Sequence, residues 1–296
     1  MLTLSNNTLA IITASALITT LSACGGSDDE VILVDPEADL LASSNSDATD
    51  ITDTLFTNRN GSCLQYVGQY QSSVTDLQNA ADFNGSVIIS RSGDECLFTV
   101  NEIPNHNFND ASAAFATNVA EQTGAYRVSA LPIMADTSTA LSLQTTNAIM
   151  LNGVLLDMLP AACFGAGNEP LGEERIGCGG DEIDHPWRYD AMSTYNRFGT
   201  DEHNAHAQPD GTYHYHANPM AMFEQDCGIL TLASPVIGFA ADGFPVYGSC
   251  FEENGIAQKA RSSYRLKSGK RADITNYQTP EAGIGLINSD NYDGQF

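Results

Sequence analysis

Of the six histidines in the chain, five fall between positions 185 and 216, and four of those stand within Asp201-Glu202-His203-Asn204-Ala205-His206-Ala207-Gln208-Pro209-Asp210-Gly211-Thr212-Tyr213-His214-Tyr215-His216. Thr212 to His216 alternates imidazoles with tyrosines. Strand side chains point to opposite faces in turn, so His214 and His216 would share one face and Tyr213 and Tyr215 the other. Two imidazoles on one face can chelate a metal ion if further ligands arrive. His203 and His206 stand three apart, the spacing that shares a face on a helical turn. Pro209-Asp210-Gly211 is a turn signal that sends the chain back. The expectation is a metal site in which His203, His206, His214 and His216 converge. Tyr213 and Tyr215 then pack behind it, and Asp201 or Asp242 orients an imidazole, as carboxylates often do for metal-bound histidine. The same four histidines also admit structural hydrogen bonding around a stiff turn, or acid–base chemistry without metal. The isolated His106, and His185 in Asp184-His185-Pro186-Trp187, read as ordinary hydrogen-bonded residues.

These ligands need a frame, and the chain predicts one that is mainly β: a single loop-rich domain with few short helices, stapled by disulfides. Gly85 to Ser90 and Cys96 to Val100 read as a hairpin around Arg91-Ser92-Gly93-Asp94. Leu141 to Asp157 holds β-type runs broken by Asn152-Gly153. Pro235 to Ala240 and Phe244 to Gly248 flank the turn Ala241-Asp242-Gly243. The alanine-rich stretch from Asp110 to Thr123 is predicted helical, and the glycine-rich stretch between Cys163 and Gly180 is predicted to be loop.

The N-terminal end predicts export. An uncharged apolar run from Leu9 closes on Leu21-Ser22-Ala23-Cys24. It is too short to span a bilayer comfortably and resembles a lipobox, although a positive n-region is missing. Residues 1–23 are therefore expected to be a lipoprotein signal peptide. Cys24 would be the lipidation site and the membrane anchor, with Gly25 after it favouring the outer membrane. Gly25 to Asn60 holds nine acids against the single Arg59, so 24–60 is predicted to be a disordered acidic tether and 61–296 the globular domain. The other cysteines are Cys63, Cys96, Cys163, Cys178, Cys227 and Cys250, and pairing of sequence neighbours is expected in an oxidising envelope. In that setting an all-histidine site suits copper or zinc, with copper favoured because no reduced thiol is required. A net charge of −25, from 12 basic against 37 acidic residues, argues against nucleic-acid partners.

The segments Asp210-Gly211-Thr212-Tyr213-His214-Tyr215-His216, His203-Asn204-Ala205-His206 and Gly238 to Gly248, together with Ile103-Pro104-Asn105-His106 and Leu151-Asn152-Gly153-Val154, resemble the YHYH protein family. The resemblance covers about Asn101 to Phe296. It implies an exported domain, and names no reaction. Family members generally continue past Asn291-Tyr292-Asp293-Gly294-Gln295-Phe296, so a C-terminally truncated domain is expected. Three functions stay open: an envelope-anchored metal-binding lipoprotein; a metal-assisted or His/Asp-dependent hydrolase with a histidine or Asp242 as base; and a surface module for glycan or peptide lined by Trp187, Tyr189, Tyr195, Tyr213 and Tyr215.

Overall fold

The alternation of apolar and polar residues in Val74, Val87, Ile89, Phe98, Val100 and Val128 buries one face of a twisted antiparallel sheet. That sheet occurs in a computed structural model that describes residues 48–139, 146–159, 186–188, 192, 199–261, 270, 272–279 and 286–287. Its strands are β1 (Thr49–Asp50), β2 (Gly68–Asp76), β3 (Ala81–Ser92), β4 (Glu95–Val100) and β5 (Gly124–Ser129). They lie in sequence order, with β1 parallel to β2 and the rest antiparallel.

The later strands are β6 (Ala148–Met150), β7 (Leu155–Leu156), β8 (Trp187–Arg188), β9 (Ala205–Ala207), β10 (Tyr213–Tyr215), β11 (Val236–Ala240), β12 (Pro245–Tyr247), β13 (Cys250–Glu253), β14 (Ile256–Lys259) and β15 (Leu286–Ile287). Six of them make a second sheet in the order β12-β11-β6-β7-β10-β9, while β13 pairs with β14 and β8 with β15. The two large sheets share one core: Phe98 of the first meets Phe239 of the second with ring centroids 6.3 Å apart, and Phe108 meets Tyr213 at 5.2 Å. The fold is thus β-rich, and the three hairpins read from the sequence are present.

Three expectations need correction or limits. Asp110 to Thr123 is not helical. The Asp110 carboxylate draws the Ser112 amide into a local turn, and distant carbonyls take the amides of Ala114 and Ala120, from Gly199 and Gly211. Nor does the domain start at 61: Ile51 is buried, and the Ile51 and Phe56 amides donate to the Gln71 and Met222 carbonyls. The compact unit runs Ser46–Phe296. The polar composition of 48–60, with only Ile51, Leu55 and Phe56 as large apolar residues, hides these few anchoring contacts. The signal peptide, Cys24 and the tether up to 47 lie outside the described residues, as do the chain end at 288–296 and the Cys163 and Cys178 pairing. The disulfides Cys63–Cys96 and Cys227–Cys250 are formed, and each ties a short 3-10 turn (Cys63–Tyr66 and Cys227–Ile229) to a strand.

Candidate metal centre

The hairpin β9–β10 is made by local chemistry. Gly211 donates its amide to Gln208 and holds φ +91°, a conformation that glycine tolerates without strain. The Asp210 side chain accepts the Thr212 amide. This turn sets the register so that His206 and His214 face each other directly, with Tyr213 opposite Ala207 and Tyr215 opposite Ala205. On its other side β10 runs parallel to β7, with His214 beside Leu155.

The period-2 alternation then separates two chemistries. Tyr213 and Tyr215 are fully buried in the shared core. On the opposite face His206, His214 and His216 turn their rings toward one point. Nε2 of His216 lies 3.1 Å from Nε2 of His214 and 3.0 Å from Nε2 of His206. One ligand atom from each of the three residues falls within 4.8 Å of the others, and all three residues are buried. The rings are splayed rather than stacked, at interplanar angles of 61°, 77° and 78°.

The tautomers follow from backbone carbonyls, which only accept. His216 donates Nδ1–H to the Asp157 carbonyl at 2.6 Å, and His214 directs Nδ1 at the Thr212 carbonyl at 3.3 Å. In the neutral rings Nε2 therefore carries a lone pair, so the Nε2 to Nε2 approach of His214 and His216 is a meeting of two acceptors. Burial, then the neighbouring imidazoles, pushes the His214 pKa far below the usual histidine range, and burial followed by His206 pushes His216 down to about 3. A cation between the lone pairs resolves the repulsion. The two separations from His216 Nε2 are close to the ~3.3 Å edge of a tetrahedron with metal–nitrogen bonds of about 2.0–2.1 Å. The residues fit a transition-metal ion: a histidine triad that can hold a metal.

The structure brings three of the four expected histidines together and places the fourth elsewhere. The Asp201 carboxylate accepts the His203 and Ala205 amides, and Asn204 takes a left-handed φ of 62°. The strand starts only at Ala205, so the helical turn expected for 203–206 does not form. His203 packs instead on His106, with ring centroids 3.9 Å apart. Its Nε2 lies 3.6 Å from Glu202, and its buried Nδ1 has no hydrogen-bond partner among the described residues.

Asp201 orients no imidazole of the triad. It accepts the Tyr213 hydroxyl at 2.8 Å and the Asn109 amide, and it locks the approach to β9. Burial raises its pKa, and the Tyr213 hydroxyl opposes that shift first among its hydrogen bonds. Asp242 is an exposed turn residue between β11 and β12, accepting only the Phe244 amide among the described residues. Trp187, Tyr213 and Tyr215 are buried, so they cannot line a surface groove. Tyr189, Tyr195 and His185 lie outside the described residues.

Four residues around the site, His106, Asn152, Asp157 and Glu102, were given no part in it from the sequence. His106 takes a hydrogen bond from the Tyr215 hydroxyl on Nε2 at 2.6 Å and gives one from Nδ1 to the Asn107 carbonyl. Asn152 donates to the same hydroxyl. Asp157, which fixes His216, also turns its carboxyl into a cavity of about 370 Å³ beside β7 and β10. Burial, less a bond from the Asn147 amide and reinforced by Glu102, pushes the Asp157 pKa up to about 6. Glu102 lies on the same cavity at a left-handed φ of 61° and accepts the Tyr126 hydroxyl at 2.5 Å. A Cβ on Gly124 would stand 2.5 Å from the Tyr126 ring and 2.6 Å from the Glu102 carboxylate, so both side chains would have to shift.

A family model described as YHYH protein matches residues 125–296. No curated protein and no solved structure matches the chain.

Proposed function

The chain belongs to the YHYH protein family, and on that premise we propose that its domain binds one divalent transition-metal ion through His206, His214 and His216. The observation that carries this reading is the paired orientation of His214 and His216. Both rings direct Nδ1 at carbonyls, and both Nε2 atoms face one point that His206 also reaches. Imidazole nitrogens suit copper or zinc. The anchor is read from the sequence: lipid on Cys24 would hold the domain at the cell envelope, at the outer membrane on the strength of Gly25.

The test is metal content of protein purified without a metal-affinity tag, parent beside His214→Ala and His216→Ala, with circular dichroism to confirm folding. The parent is expected to carry about one ion per chain and the variants to lose it. Folded variants with parental content and affinity would refute the reading. A hydrolytic role draws on one further observation: the described residues supply three ligands to the site, the number that catalytic rather than structural zinc takes from the protein. Turnover of ester, phosphate and peptide substrates by the metal-loaded chain, absent from His214→Ala, is its measurement.

A further inference from the structure

The three imidazoles are buried, with His206 and His216 each 8 % exposed and His214 2 %. An ion needs a way in, and the cavity beside β7 and β10 lies against the same sheet face. Leu155, the direct lateral neighbour of His214, lines it. So do Thr212, two residues before His214 on the same face, and Gln208, two residues after His206. Asp157 joins the cavity to the centre twice: its carbonyl holds His216 and its carboxylate accepts a hydrogen bond from Gln208 at 3.3 Å. The cavity runs inward from the exposed Asp210 to the buried Glu102, Leu155 and Thr212. Among the described residues no lysine or arginine lines it, while three carboxyl groups, Glu102, Asp157 and Asp210, do.

We propose that this cavity is the route by which a hydrated divalent cation reaches the imidazoles, with Glu102, Asp157 and Asp210 drawing it in and His206, His214 and His216 retaining it. The inference rests on the metal-binding reading above. A cleft of one charge sign between low-dielectric walls focuses the field and raises association rates of opposite charges by 10–10³-fold. The carboxylates then set how fast the ion arrives, and the imidazoles set how long it stays. No bond to the carboxylates is needed in the loaded state.

The probe is Co²⁺, whose d–d absorption reports imidazole coordination, mixed with metal-free full chain in a stopped-flow instrument. Association to the parent should slow steeply as ionic strength rises from about 0.01 M to 1 M, because the screening length falls from about 30 to 3 Å. The double variant Glu102→Gln, Asp210→Asn keeps the shape of each side chain and leaves Asp157, whose carbonyl holds His216, untouched. It should associate about tenfold or more slowly at low salt, lose most of the salt dependence, and keep the parental spectrum and dissociation rate. The single variant Asp210→Asn, at an exposed turn, should show a smaller slowing and serves if the double variant does not fold.

Unchanged association rates in the folded variants overturn the proposal. So does a changed spectrum with faster dissociation, which would make a carboxylate a ligand. A parent that takes up no Co²⁺ and carries no other metal overturns the histidine-centre reading itself, and this route with it. A parent that binds with no salt dependence overturns the route alone.

Discussion

His206 and His214 stand directly opposite each other across the β9–β10 ladder, and His216 completes the set from just beyond the end of β10. Among the described residues one hairpin therefore supplies the three imidazoles of the cluster, and its turn residues control how they meet. His203, at the mouth of the same hairpin, points away to His106.

That division predicts different outcomes for neighbouring histidines. His206→Ala should abolish metal binding, whereas His203→Ala should keep parental stoichiometry. Saturating metal at about 100 times Kd should stabilise the His203→Ala protein by about 2.7 kcal/mol, as it does the parent, and should leave His206→Ala unmoved. Elemental analysis and thermal melts with and without chelator check both. A His203→Ala protein that loses the ion would restore His203 to the ligand set.

The buried His106 makes stability depend on pH. Burial first, and then His203, pushes its pKa down to about 3 from the ordinary 6.5. Between these values the unfolded chain holds a proton that the folded chain does not. Its contribution is therefore complete above pH 6.5 and drains away as pH falls toward about 3, by up to about 1.4 kcal/mol per pH unit. Urea unfolding in chelator at pH 7 and pH 5 should show the loss, and His106→Gln should flatten it by about one proton's worth. An unaltered slope in the variant contradicts the assignment.

Tyr213→Phe removes the hydroxyl that donates to the buried Asp201 carboxylate. The carboxylate keeps its three backbone amide donors, from Asn109, His203 and Ala205. The expected cost is about 1–3 kcal/mol, read by denaturant unfolding of metal-free protein. A change under about 0.5 kcal/mol, the scatter of neutral surface substitutions, would mean that the amides alone satisfy Asp201.

Acylation at Cys24 is expected to anchor the chain. Cys24→Ser should yield an unprocessed or soluble form, seen in detergent partitioning and intact mass. Identical partitioning and mass in the variant and parent would refute the lipobox reading.

Much of the candidate centre was legible because period-2 alternation is local. Tyr213 to His216 declares its two faces, and Pro209-Asp210-Gly211 declares the return. His203 was misplaced because its spacing from His206 suits a helical turn, whereas the Asp201 side chain captures two amides and Asn204 turns left-handed. Asp201 is placed to bond the amide two residues on, and Asn204 tolerates a left-handed backbone, so both could have argued for this turn. Nothing local announces Asp157 or His106. Their roles depend on backbone carbonyls and on pairings across 59 and 109 residues. The β3–β4 hairpin of the first sheet read easily for the same local reason. The Asp110 to Thr123 helix failed because distant carbonyls, invisible in the sequence, take its amides.

The hairpin also sets an order of assembly. His206 and His216 are ten residues apart, whereas the Asp157 carbonyl that fixes the His216 ring comes from 59 residues upstream, through the parallel pairing of β7 with β10. A hairpin closes in about 1–10 μs, and distant parallel pairings form more slowly because a long loop must close first. The nascent chain thus gathers its imidazoles before it acquires the strand that orients them. An ion offered to the chain in that interval would meet three imidazoles whose rings the Asp157 carbonyl has not yet fixed.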